Sequence, residues 1–257
     1  MEWVLLPLFA AGVSLLTLFS GFGLGTLLLP AFALFFPLEV AVAMTAIVHL
    51  AGNLFKTGLL GRQADWRIVG KFGLPAIIGA WLGAHVLQLL AGCAPLASYE
   101  LAGKVHGITA LKLVIALLMI VFALWEAIPP LASLTFRSAW LLPGGLLSGF
   151  FGGLSGHQGA LRAAFLSRLG LTKEAFVGTG VVIACLVDFT RLAGYSRHLL
   201  QSEIINSWQL LALTMLAAFA GSWLGTRLLR KITRQTIQRT VAAMLLLIAI
   251  LLGSGLV

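Results

Sequence analysis

The sequence predicts an all-α, polytopic membrane protein made of two inverted repeats of about five helical segments each, forming one integrated membrane domain. Three observations carry that prediction. Hydrophobic residues make up 60% of the chain and charged residues 10%, with a mean hydropathy of +1.04, whereas an ordinary soluble domain carries about 25% charged residues. Uncharged apolar runs such as 113–124 and 241–252 recur along the whole chain, so the apolar character is spread over many spans and is not one anchor. Finally, GAWLGAHVL at 79–87 and GSWLGTRLL at 221–229 share five of nine residues in register, the mark of an internal duplication.

Apolar runs and their breakers place the elements of the first repeat, 1–128, at 3–19, 25–36, 38–60, 68–90 and 107–128. Those of the second, 129–257, fall at 138–152, 160–168, 173–195, 203–229 and 236–255. Only Glu2 precedes the first apolar stretch, which lacks a basic leader and is expected to be a retained helix. Segments 25–36 and 160–168 are short for a crossing, whether they span fully or are re-entrant. Each follows a glycine cluster, SGFGLG at 20–25 and GGLSGHQG at 152–159. Short, glycine-interrupted segments at matching positions of two halves are the sequence pointer to a transporter's binding site. A shift of 135 residues places Ser20 on Ser155, Gly21 on Gly156, Glu39 on Glu174, Asn53 on Asp188 and Lys56 on Arg191.

Charge placement orients the halves. In the inverted arrangement twelve basic residues fall inside: Arg62, Arg67, Lys71, Arg137, Arg162, Arg168, Lys173, Arg227, Arg230, Lys231, Arg234 and Arg239. Only Lys104 and Arg197 fall outside, and Lys56, Lys112 and Arg191 lie within spans. A parallel repeat of eight full spans splits the loop charges 9 to 5 at best. The positive-inside bias therefore favours inverted repeats in a bacterial inner membrane, with both termini and Cys93 on the periplasmic side. The net charge of +9 is then a matter of topology, with no one-sided basic footprint for nucleic acid. Two cysteines at no metal-like spacing and the lack of an HExxH pattern give no reason to expect a metal or cofactor.

Candidate site residues lie on two helix faces and at two breaks. Thr45, His49, Asn53 and Lys56 are spaced by four, four and three, which puts them on one face of the third segment. Intramembrane ionisable groups point to function, although Lys56 is near enough to its helix end to snorkel and His49 could be a structural interhelical bond. Asp188 and Arg191 share a face of the equivalent helix, as a neutralised intrahelical pair or as an anion-attracting charge with its proton acceptor. Helices restarting after Gly25 and Gly159 present backbone N–H donors and positive dipole ends inside the membrane, unless the glycines serve only close packing. Ser20, Gly21, Gly23, Gly25 and Thr26 line one break; Ser155, Gly156, His157 and Gln158 line the other. His49, His157 and Asp188 are the candidates for proton coupling. An intramembrane enzyme is the rival of another class, but Ser155 and His157 stand two residues apart beside a glycine, an awkward spacing for convergence.

Taken in order, SGFGLGTLLLP at 20–30, GRQADWR at 61–67, GAWLGAHV at 79–86, the glycine-rich stretch 144–159 and GSWLGTRLLRKI at 221–232 resemble the TauE/SafE family, also called the 4-toluene sulfonate uptake permease family. The likeness covers nearly the whole chain. It implies a cofactor-free, multi-pass anion transporter, most often an exporter of sulfite or an organosulfonate, with uptake or a channel-like pathway as the alternative. Its partners would be a small anionic substrate and the lipid bilayer, with a homodimer as an option. This chain carries SGHQGA where the family pattern usually has a run of glycines. His157 and Gln158 therefore narrow or polarise that half of the site and mark a subgroup.

Overall fold

A computed structural model describes residues 2–20, 24–195, 203–228 and 234–257, and ten principal helices carry the fold among them. Helix α1 (Glu2–Ser20) leads into the short α2 (Leu24–Ala33), followed by α3 (Leu38–Leu60), α4 (Trp66–Ala91) and α5 (Ala110–Ala127). The second half runs α6 (Leu141–Ser155), the short α7 (Gly159–Leu166), α8 (Lys173–Tyr195), α9 (Trp208–Leu228) and α10 (Arg234–Gly253). The protein is thus all-helical and polytopic, as its apolar runs predict. Segments Leu38–Gln63, Trp66–Ala91, Ala110–Ala127 and Lys173–Tyr195 are each long and apolar enough to cross a membrane. By contrast α2, with 10 residues, and α7, with 8, extend only about 15 and 12 Å at ~1.5 Å per residue, against a hydrocarbon layer of about 30 Å.

Glycine sets the closest helix packing. Gly79 and Gly83 of α4 lie against the carbonyls of Leu146 and Phe150, while Gly145, Gly149 and Gly153 of α6 lie against the backbone of Phe72, Ala76 and Ala80. A Cβ at any of these five positions would run into backbone, so the missing side chain fixes the distance between the helices. The contact recurs on the far side, where Gly221 of α9 lies against the carbonyl of Ala11 in α1. Gly221 follows Gly79 by 142 residues and Leu146 follows Ala11 by 135, so the same glycine-on-carbonyl contact occurs in both places. The remaining main contacts are α3 with α8 and α5 with α10.

Direction follows from which residues meet. Along α3 and α8, His49 meets Asp188, Thr57 meets Cys185 and Leu60 meets Gly178, so the two helices run antiparallel. Gly253, at the end of α10, packs on Ala116 in the first half of α5, another antiparallel pair. Helices α4 and α6 run parallel. Arg62, Arg67, Lys71, Arg137, Arg168 and Lys173 therefore gather at one end of the molecule. Arg162 departs from the expected inner loop: it lies inside α7 and is half-buried. Asp65 starts α4 by accepting from the backbone of Arg67 at 2.9 Å and Ile68 at 3.1 Å, and its own N–H donates to Thr179 Oγ1 at 2.9 Å, tying the 61–65 loop to α8.

At the opposite end, β1 (Ala97–Leu101) and β2 (Lys104–Ile108) form an antiparallel hairpin that the sequence reading did not anticipate. Ala102 and Gly103 both take positive φ, 52° and 74°, as a two-residue hairpin turn demands. The helix expected from 107 starts at Ala110, where Thr109 Oγ1 accepts from the backbone of Lys112 at 3.2 Å. Tyr99 then donates its hydroxyl to the carbonyl of Ser254 at 2.7 Å and holds the hairpin to the end of the chain. Over the outer surface, exposed Trp66, Trp81, Trp208 and Trp223 join exposed leucines in an apolar face suited to lipid.

Candidate functional site

Asp188 is the centre of the buried polar network. Its Oδ2 accepts from His49 Nδ1 at 2.7 Å and from Asn53 Nδ2 at 3.3 Å. Its Oδ1 faces Arg191 Nη2 at 2.8 Å and accepts from Gln158 Nε2 at 3.4 Å. Helix α3 supplies two of these donors because His49 and Asn53 are one turn apart on the same face. Helix α8 supplies Asp188 and Arg191 one turn apart, and the break between α6 and α7 supplies Gln158. Asp188 and Arg191 are both 0% exposed, so their charges depend on these partners and not on water.

The break is built around Gly156. Helix α6 ends there in the left-handed conformation, φ +81°, with its N–H bonded to the carbonyl of Gly152 at 2.9 Å. A side chain at 156 would be strained by that φ, and its Cβ would come within 2.8 Å of Arg191 Nη1. Ser148 Oγ donates to the carbonyl of Gln158 at 3.2 Å and closes the break. The last carbonyls of α6, where the negative end of the helix dipole lies, are covered by α8: Arg191 Nη1 reaches Gly152 O at 3.4 Å and the Tyr195 hydroxyl donates to Gly153 O.

The first break approaches the second. A Cβ on Gly25, in the first turn of α2, would sit 3.5 Å from the His49 ring and 3.7 Å from the carbonyl of Gly156. Gly25, His49, Asn53, Gly156, Gln158, Asp188 and Arg191 are therefore brought together, and Thr26 is buried beside them on α2. Gly21, Gly23 and the side chain of Ser20 lie outside the described residues. Lys56 lies one turn further along α3, half-buried and without a hydrogen bond or ion pair among the described residues.

Ser155 and His157 depart from expectation. The left-handed turn at Gly156 folds them together, His157 Nδ1 lying 2.9 Å from Ser155 Oγ. The hydroxyl has one proton, which it donates to the carbonyl of Phe151 at 3.1 Å. His157 Nδ1 must therefore be the donor to Ser155, the reverse of a base activating a nucleophile. The imidazole stacks on Phe122 of α5, centroids 5.5 Å apart at 11°, and its Nε2 is buried without a hydrogen-bond partner among the described residues, as are Thr45 Oγ1 and Arg191 Nε.

Sequence reasoning missed Arg162, Tyr195 and Ser148. Arg162 follows Gln158 by four residues and bonds to its Oε1 through Nη1 at 3.1 Å, so helical spacing from Gln158 was the signal that could have found it. No pattern marks Tyr195 or Ser148, whose partners are backbone carbonyls across the bundle. Among the described residues no group of three or more His, Cys, Asp or Glu side chains converges as a metal site would need.

An all-helical bundle with two half-length helices meeting at a buried ionic network is a multi-pass membrane protein of transporter type. Residues 6–252 match the family model described as Sulfite exporter TauE/SafE, and the chain belongs to that family of anion-exporting transporters. Neither a curated protein nor a solved structure matches the chain.

Proposed function

We propose that the protein is a secondary transporter that exports sulfite or a small organosulfonate across the bacterial inner membrane by alternating access. The carrying observation is that Asp188 is held by donors from α3, α8 and the α6–α7 break at once. Two inverted repeats, 1–128 and 129–257, explain why. The reciprocal glycine contacts and the antiparallel pairing of α3 with α8 and of α5 with α10 support this reading, because equivalent helices that run antiparallel call for a pseudo-twofold axis in the membrane plane. Rocking one repeat against the other would separate His49 and Asn53 from Asp188.

The network is also suited to exchanging an anion for a proton. With His49 neutral, Asp188 and Arg191 cancel; a proton on His49 or Asp188 leaves the site one charge positive and ready for an anion. The N-terminal donors of α2 and α7 then meet the anion's oxygens with little side-chain charge. The cargo class follows the family. Proteoliposome flux of sulfite, sulfoacetate, taurine, sulfate and thiosulfate, with and without a pH gradient, tests the proposal. Sulfite or a sulfonate should move fastest and respond to the gradient; movement of none of the five would sink the cargo assignment.

A further inference from the structure

Two cations beside the Asp188 network have no anion of their own among the described residues. Lys56 follows Asn53 on α3 and Arg162 follows Gln158 on α7, each about one turn nearer the basic end of the molecule. Both are half-buried. Arg162 gives one side-chain hydrogen bond, to Gln158 Oε1, and among the described residues neither cation forms an ion pair. The two oxygens of Asp188 are already engaged by His49, Asn53, Arg191 and Gln158. Uncompensated charge in a low-dielectric setting is unfavourable.

Their side chains leave the turns that flank Asp188, since Asn53 and Gln158 each donate to its carboxylate. Gly180 on α8 has no side chain, and a Cβ there would lie 3.5 Å from Arg162 Nε, so the guanidinium rests against the α8 backbone. The Thr57 hydroxyl, next to Lys56 on α3, and the Cys185 thiol of α8 lie 3.6 Å apart. A planar guanidinium, a point-charge ammonium and a hydroxyl are the donor set that a sulfur oxyanion or sulfonate accepts.

We propose that Lys56, Arg162 and Thr57 form a second anion site, a waiting position between the basic end of the protein and the Asp188 network. It rests on the transport reading above, and it adds a stepwise path: an anion held here lies about one helical turn, ~5 Å, from the central site. Arg191, already paired with Asp188, acts only at the second step.

Cys185 reports on this site without any transport measurement. In purified full-length protein carrying Cys93→Ser, Cys185 is modified with anionic sulfonatoethyl methanethiosulfonate or neutral methyl methanethiosulfonate, each rate normalised to that of a free thiol. The anionic reagent should be favoured about tenfold, the scale of electrostatic focusing in a charged cleft. That preference should fall to near unity in Lys56→Gln and Arg162→Gln and persist in Lys56→Arg and Arg162→Lys, all checked for monodispersity. Millimolar sulfate should slow modification in the parent and not in the glutamine variants. Equal rates for the two reagents, a preference that survives both glutamine substitutions, or a Cys185 that neither reagent reaches would each overturn the site. Loss of sulfite flux with the reagent preference intact would count against the transport reading alone.

Discussion

At the scale of single residues, Asp188 decides what the buried network can do. Replacing it with Asn removes the only charge paired with Arg191 among the described residues and leaves a guanidinium that is 0% exposed without that counter-ion. Breaking such a pair from one side destabilises by about 3 kcal/mol. Asp188→Asn should therefore lower the melting temperature in detergent and abolish flux, while Asp188→Glu recovers much of the stability; normal flux in Asp188→Asn would remove the network from the mechanism. His49 tests the proton. His49→Gln keeps a donor to Asp188 but cannot take up charge, so flux should continue and lose its response to a pH gradient; an unchanged response would move the coupling to Asp188. The faces carrying His49, Asn53, Asp188 and Arg191 were legible because helical spacing reports directly which side chains share a side. Arg162 was not, because an arginine in a short helical segment between a glycine cluster and the basic loop counts as an inside charge until its bond to Gln158 shows that it packs inward.

At the scale of elements, close approach without side chains holds the bundle. Gly149 of α6 sits on the carbonyl of Ala76 in α4, and Gly221 of α9 sits on that of Ala11 in α1. Because the obstacle is backbone, no rotamer change relieves it. Gly149→Leu should separate α4 from α6 at about 1–3 kcal/mol of strain, visible as a lowered melting temperature, and Gly221→Leu should do the same to α1 and α9. An exposed exchange on a lipid-facing position, such as Leu147→Ile, is the control and should change neither. If Gly149→Leu matched the control, glycine packing would not be what sets the helix spacing. Long elements were legible because each apolar run has to be about as long as the bilayer is thick, which is why α3 and α8 fall at 38–60 and 173–195 as expected. The hairpin at 97–108 escaped because its turn is Ala-Gly and its strands are five residues each, too short to show against the apolar helices on either side.

At the scale of the whole molecule, the packing fixes which ends lie together, and the positive-inside bias predicts that the basic end faces the cytoplasm. Arg62, Arg67, Lys71, Arg137, Arg168 and Lys173 share one end; Cys93, the hairpin and the end of α10 share the other. The sequence could reveal this much because loop charge records orientation, whereas the meeting of the two breaks around Asp188 depends on tertiary contacts that no local pattern encodes. Cys93 is exposed and Cys185 buried, so one impermeant maleimide applied to intact spheroplasts separates surface from interior in a single chain. With the basic end inside, Cys93 should label promptly and its Cys93→Ser variant should not. Adding Arg67→Cys to that variant places a thiol at the exposed basic end, which should label only after permeabilisation. Labelling of the cysteine at 67 from outside, with Cys93 protected until permeabilisation, would reverse the orientation without bearing on the proposed inverted repeats. Labelling of both from the same side would be incompatible with α4 as a crossing helix, since residues 67 and 93 bracket that one span.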